Sequence, residues 1–437
     1  MKRALVLVLL GACASRTMPA PAPRSPEPVA SLAGELPPTA KAGEVDAGAI
    51  APRADGDYDI NHVLSTGQSL AIGVGGRPFL THEQPFSNLM FSTGVMAGRE
   101  ELTTFVPLVE GDFIPGTEAA TETMSSGFAN LASNDGKHTI LVTVHGAGAF
   151  PYFKLKKGTR PYETGLIQVT AARDLAKQQG KSYIVRAVTN VHGESDHAEK
   201  TTTYARDLTE WQRDVERDVM ELTGQKEPVP MFHTQMSSWT RMMKGTPTSA
   251  IPQAQLQASI ASNGKIVLVG PKYHLPYAKD GVHLNADGYR HMGEDYAKAY
   301  RKVILEKGTW EPLRPISISR EGAVITVKLL VPSPPLVLDT TLVTDPGHFG
   351  FEYTDAAATS PNIKKVELAG DDTVKITLER EPTAGDKRIR YAFTGIKGQR
   401  SGPETGARGN LRDSDPTPSR HGYALYNWCV HFEESVP

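Results

Sequence analysis

The chain has 437 residues, 39% hydrophobic and 22% charged, enough for a sizeable buried core and for two or three domains. A formal net charge of −2 leaves no basic footprint, so neither composition nor charge supports nucleic-acid binding. Charge and composition point to no particular substrate.

The first residues read as an export signal. Lys2-Arg3 form a positive start, and Ala4 to Leu10 form an apolar run too short to span a bilayer. The run ends in Leu10-Gly11-Ala12-Cys13, which resembles the lipobox of bacterial lipoproteins. That resemblance implies a signal peptide over 1–12, lipidation of Cys13, and anchoring to the cell envelope, facing either the periplasm or the exterior. A plain signal peptide with an incidental Cys13 is the competing reading. With Cys13 lipidated, Cys429, the only other cysteine, has no intrachain partner, and the core rather than disulfides must hold the fold. Residues 13–52 are rich in Pro and Ala and carry no hydrophobic period, so they read as an extended tether.

Tyr58 to Leu64 alternates and ends in an apolar pair, as a strand entering a core does. Gly67 then allows a sharp turn, and Leu70-Ala71-Ile72 is predicted to open a helix. Ser69 falls at the hand-over, where a hydroxyl is exposed and backbone N–H groups are free to bind an oxyanion. The plainer reading is a helix cap. Gly73-Val74-Gly75-Gly76 does not complete a dinucleotide fingerprint, and residues 77–120 are predicted to be a long irregular insertion walling the site. A helix is predicted over 125–132. His138 to Val144 is a buried strand running into His145-Gly146-Ala147-Gly148-Ala149. A helix over 163–179 follows, then a strand over 183–191 ending in Asn190-Val191-His192-Gly193-Glu194-Ser195-Asp196. Helices over 202–222 and 251–262 alternate with short strands at 230–234 and 265–269. Asn285 is predicted to cap a last helix that turns Tyr289, Met292, Tyr296 and Val303 inward.

This alternation predicts a parallel sheet covered by helices on both faces, with ligands bound beyond the carboxyl ends of the strands. Ser69, the 146–148 glycines and His192/Glu194 all fall at such ends. From about residue 309 the pattern changes to period two: Ile316 to Ile318, Val324 to Lys328, Lys365 to Leu368, Thr373 to Leu378 and Ile389 to Phe393. That predicts an all-β sandwich over 309–437, after a catalytic domain over 53–308. Tyr423 to Phe432 is expected to pack back on one domain or the other.

Asp280-Gly281-Val282-His283 sits in a loop ahead of the last helix. An aspartate three residues before a histidine on a tight turn can orient its ring, leaving the far nitrogen to act as a base toward a serine. The ordered set Gly67-Gln68-Ser69-Leu70, the glycines at 146–148, His192-Gly193-Glu194-Ser195-Asp196 and Asp280-x-x-His283 resembles the SGNH (GDSL-type) hydrolases over residues 58–305, closest to the carbohydrate and sialate O-acetylesterase branch. The resemblance implies a flavodoxin-like three-layer αβα domain. It implies Ser69 as nucleophile, His283 as base and Asp280 as its partner. The oxyanion hole is implied to use the Ser69 N–H, a glycine N–H from Gly148 (or Gly146), and a side-chain amide. At the amide position the branch has Gln, whereas this chain has His192. Gln68 and Glu194 are supporting residues, with Glu194 bracing its loop.

Other motifs fail. There is no G-x-S-x-G elbow. Gly180-Lys181-Ser182 lacks a P-loop's first glycine, because Leu175 stands there. His192-x-Glu194 has no P-C-x-x-C partner for a zinc deaminase. His192 and His197 are weak metal candidates, and His274 and His291 read as surface or core residues. The expectation is a metal-free, cofactor-free serine esterase that removes acetyl groups from a carbohydrate, anchored to a membrane through Cys13. The alternatives are a glycan-binding surface protein on an esterase scaffold and an esterase of lipid or thioester acyl chains.

Overall fold

A computed structural model describes residues 50–98, 102–114, 117, 119–242 and 244–437. The signal peptide, Cys13 and the tether up to residue 49 lie outside the described residues. Those described all belong to one compact unit.

The α/β region begins with β1 (Ile60–Gly67), followed by the short β2 (Leu89–Phe91) and β3 (Phe105–Pro107). Then come α1 (Ser125–Ala132), β4 (Ile140–Val144), α2 (Arg160–Gln178), β5 (Tyr183–Val191), α3 (Glu194–Glu199) and α4 (Tyr204–Thr223). It closes with β6 (Met231–His233), α5 (Ile251–Ala261), β7 (Ile266–Leu268) and α6 (Ala286–Tyr300). The sheet runs β3-β2-β4-β1-β5-β6-β7. Its parallel core, β4-β1-β5-β6-β7, has the flavodoxin-like order 2-1-3-4-5. Every residue of β1 and β4 is buried, as central strands covered on both faces require. Phe128, Met292 and Tyr296 of α1 and α6 pack on one side of the sheet, and Val169, Leu208, Trp211 and Leu256 of α2, α4 and α5 serve the other. Pro161 in the first turn starts α2, and Gly224 in the left-handed conformation stops α4.

Three local expectations are corrected. Residues 70–75 form successive turns rather than a helix, because positive-φ Gly73 and Gly75 break the period. The insertion at 77–120 is not wholly irregular, since β2 joins β4 in parallel and β3 joins β2 in antiparallel. A six-residue helix, α3, opens directly after Gly193 where only a loop was expected.

The remainder is antiparallel: β8 (Arg314–Glu321), β9 (Val324–Leu330), β10 (Val337–Leu338), β11 (Phe351–Thr354), β12 (Ile363–Leu368), β13 (Thr373–Leu378), β14 (Arg388–Tyr391), β15 (Leu411–Arg412) and β16 (Phe432–Ser435). A four-stranded sheet, β12-β13-β9-β8, and a three-stranded one, β11-β14-β16, bury Ile325, Val327, Val374, Ile376, Ile389 and Phe432 in a common core. That core is continuous with the α/β region through Leu268 and Tyr273. The Tyr273 hydroxyl donates to the Cys429 carbonyl at 2.7 Å, and Gln235 pairs with the backbone of His431 at 2.8 and 3.0 Å. The 423–432 segment packs on both regions: Leu425 joins the α1/α6 core, whereas Trp428 joins the β core.

Candidate active site

The site sits at the carboxyl end of β1, where the β1 and β5 loops diverge. Gly67 ends β1 at φ +128°, and a Cβ there would lie 2.2 Å from the Val191 carbonyl oxygen of β5. Only glycine lets the two strand ends approach so closely. The Gln68 N–H donates to that same carbonyl at 3.2 Å, which sets Ser69 at the tip of the turn, half-buried. The Gln68 side chain reaches across and accepts the Ser195 N–H at 2.9 Å, fastening the turn to α3.

Ser69 Oγ lies 2.7 Å from His283 Nε2, and His283 Nδ1 lies 2.7 Å from Asp280 Oδ2. The other Asp280 oxygen accepts the N–H groups of Val282 (2.9 Å) and His283 (3.0 Å), so one carboxylate folds the loop and orients the ring. Burial raises the Asp280 pKa, but the His283 ring and these two N–H groups outweigh it and hold the carboxyl at about 2. An ionised carboxylate only accepts, so the His283 proton sits on Nδ1 and the Nε2 lone pair faces the serine hydroxyl. Gly75, at φ +94°, leaves room for this: a Cβ there would lie 2.9 Å from the Cβ of His283.

The two glycines after β4 differ in placement. A Cβ on Gly148 would lie 4.0 Å from the Ser69 Cβ, so this backbone faces the serine across ordinary contact distance. Gly146 is wedged underneath, where a Cβ would lie 2.8 Å from the Gly67 carbonyl oxygen. Among the described residues, neither the Ser69 N–H nor the Gly148 N–H has a hydrogen-bond partner. Those two donors are free to meet an oxyanion formed at the serine.

His192 does not join them. It is 1% exposed, its Nε2 bonds the Phe150 carbonyl at 2.9 Å, and its Nδ1 meets the Tyr204 hydroxyl at 2.7 Å. A carbonyl only accepts, so Nε2 carries the proton and Nδ1 accepts from Tyr204. Burial lowers the His192 pKa, keeping the ring neutral. The expectation of an oxyanion-hole donor at His192 is therefore corrected: its one N–H is already engaged. It holds the Gly148-bearing loop instead, together with Asp196, which accepts the Tyr152 N–H at 2.8 Å. Glu194 is fully buried. Desolvation opposes its charge, but Lys272 at 3.3 Å, backbone N–H and the Ser238 hydroxyl at 3.0 Å hold its pKa below the ordinary value.

One contributor carried no sequence signal. The loop over 395–407, between β14 and β15, lies along the catalytic loop. The Ser401 N–H donates to the Gly281 carbonyl at 3.0 Å, and a Cβ on Gly281 would run into Arg400 at 2.5 Å. The Gly398 N–H donates to Thr240 at 2.8 Å, and Arg241 donates to the Asp280 carbonyl at 3.3 Å. The β region thus braces the backbone that carries Asp280 and His283.

A serine, a base with its lone pair aimed at that serine, and two unpartnered N–H groups nearby are the parts of an acyl-transfer centre. No curated protein matches the sequence. Residues 115–302 match the family described as carbohydrate esterase, sialic acid-specific acetylesterase, a span that contains Asp280 and His283 but not Ser69. Among solved structures, a carbohydrate acetylesterase from Xanthomonas citri is similar at 12% identity and TM-score 0.54, over 86% of this chain and 80% of that one. A protein from Arabidopsis thaliana is 18% identical over 55% of this chain and 97% of its own, at TM-score 0.43. The M. smegmatis aryl esterase is 14% identical over 56% of this chain and 100% of its own, at TM-score 0.33. The chain is a carboxylic ester hydrolase of SGNH-hydrolase fold, similar over residues 115–302 to the family described as carbohydrate esterase, sialic acid-specific acetylesterase.

Proposed function

We propose that this protein removes acetyl groups from an acetylated carbohydrate through a Ser69 acyl-enzyme. Ser69 Oγ attacks the ester carbonyl as His283 Nε2 takes its proton. The oxyanion is held by the N–H groups of Ser69 and Gly148. His283, now doubly protonated beside the Asp280 carboxylate, returns the proton to the departing sugar oxygen. Water then enters, gives its proton to the same nitrogen as it attacks the acyl carbon, and the C–Oγ bond breaks to release acetate while His283 returns that proton to Ser69 Oγ. The observation that carries this reading is the unbroken Ser69–His283–Asp280 chain, two links of 2.7 Å, beside two unpartnered N–H groups. Export as a lipid-anchored enzyme is proposed on the Leu10-Gly11-Ala12-Cys13 motif alone.

The test is hydrolysis of p-nitrophenyl acetate, butyrate and octanoate, followed by acetylated sugars, by residues 53–437. We expect acetyl to be preferred and acetate to be released from sugars. In Ser69→Ala, kcat is expected to fall by about four orders of magnitude or more with the circular dichroism spectrum unchanged. Retained turnover in that variant would remove Ser69 from the mechanism, and a preference for octanoate would move the substrate to lipids.

A further inference from the structure

Away from the serine, three potential ligands converge where the α/β and β regions meet. His291 and Asp295 lie one turn apart on α6, so they share a face. His274, in the loop after β7, faces them with Nε2 3.2 Å from Asp295 Oδ2. His291 Nε2 lies 4.0 Å from that same oxygen, and the candidate ligand atoms all fall within 4.8 Å of one another.

The ring orientations are set by stacking. His291 lies flat on Tyr423 (4.8 Å, 6°) and His274 on Trp428 (5.7 Å, 15°). Both aromatics belong to the segment that crosses between the two regions. At 4.0 Å from Asp295 Oδ2, His291 Nε2 is too far to hydrogen-bond it. Three atoms of this cluster are buried without a hydrogen-bond partner: His291 Nε2, His274 Nδ1 and Asp295 Oδ1. Native structures leave few such groups, because a buried polar atom without a partner pays its desolvation in full.

Asp295 brings a carboxylate to the two imidazoles, so the set offers one anionic and two nitrogen donors. Lys298 lies 3.9 Å from Asp295 Oδ1, and Asp415 at 3.2 Å and Asn427 at 2.9 Å hold its ammonium group. A cavity of about 10 Å³ lined by His274, Asp295 and Lys298 adjoins the cluster. That is room for one water.

We propose that His274, His291 and Asp295 bind one divalent transition-metal ion, with a water as fourth ligand. Two imidazoles and a carboxylate suit zinc. Tetrahedral zinc sets its ligand atoms about 3.3 Å apart; the His274–Asp295 spacing of 3.2 Å matches, and the His291–Asp295 spacing of 4.0 Å would close on binding. The ion is structural: it ties the stretch nine residues ahead of His283 to α6 and to the Tyr423–Trp428 segment.

The test uses residues 53–437 without an affinity tag, stripped with a chelator, then titrated with Zn²⁺ by calorimetry and with Co²⁺ by visible absorption. We expect one Zn²⁺ per chain, a rise in Tm of about 3–5 °C, and cobalt d–d bands of a tetrahedral site. His291→Gln and Asp295→Asn should each abolish the bands and the Tm rise while keeping esterase turnover, which shows that they fold. His283→Gln should keep the bands, separating this cluster from the catalytic histidine. No stoichiometric zinc in the parent protein, or cobalt bands that survive His291→Gln, would overturn the site.

Discussion

Asp280 performs two tasks with two oxygens, and the tasks have different energetic signatures. Oδ2 fixes the His283 tautomer, whereas Oδ1 accepts two backbone N–H groups and shapes the loop. In Asp280→Asn the amide oxygen can still accept at one side, but the amide NH₂ would face Nδ1 and favour the wrong tautomer. We expect kcat to fall by about 10⁴ with KM changed far less, because the damage is to proton transfer and not to the pocket. Steady-state kinetics on p-nitrophenyl acetate check this, and a loss confined to KM would contradict it. Because the Asp280 carboxyl titrates at about 2, its protonation lies well below the usual assay range. The Asp280 carboxyl should therefore add no limb to the kcat/KM profile between pH 5 and 8.

At the scale of elements, catalytic geometry depends on loops that strand ends hold in place. His192 clamps Phe150, and Asp196 clamps Tyr152, so the loop carrying Gly148 is fixed from beneath by α3 and its entry. In His192→Ala the Phe150 carbonyl and the Tyr204 hydroxyl both lose a buried partner. We expect kcat to drop about tenfold to a hundredfold, less than for removal of a direct oxyanion donor, along with a lower Tm. His192→Gln should recover part of both, since its amide can donate to Phe150. Wild-type kinetics in His192→Ala would dissociate this clamp from catalysis. The serine, the histidine pair and the glycine loop were legible in the sequence because each follows a strand whose period is plain. The role of His192 was not, because a motif position shows which residue is present and not whether its N–H is already taken. Nor was the brace from 395–407 legible: its contact with Gly281 spans more than a hundred residues and is made through backbone. The His274, His291 and Asp295 cluster was missed for a similar reason, being assembled from a loop, a helix and two stacked aromatics without a compact spacing.

The α/β and β regions of the molecule are joined through buried histidines, and this gives the whole fold a pH dependence. His431 sits at the junction, with Nδ1 donating to the Ala392 carbonyl at 2.6 Å and Nε2 meeting the Ser237 hydroxyl at 2.8 Å. Tyr273 and Trp239 surround its ring at 5.2 and 5.0 Å. Burial, with a smaller contribution from Lys272 and despite the Ala392 bond, lowers its pKa to about 3 from an ordinary 6.5. Below pH 6.5 the unfolded chain takes up a proton here that the folded chain refuses. Stability is therefore complete above 6.5 and is lost as the pH falls toward 3, by about 1.4 kcal/mol per pH unit for each such histidine. His62 and His233, also buried and lowered to about 3, add in the same direction. Urea unfolding of residues 53–437 at pH 7 and pH 4.5 should show a marked acid loss. His431→Gln should be less stable than the parent at pH 7, because the junction is tightly packed. Across that pH interval, however, it should lose roughly 2–3 kcal/mol less than the parent. Parallel profiles for the two proteins would mean that His431 is already protonated in the folded junction, which its donated Ala392 bond and accepted Ser237 bond argue against.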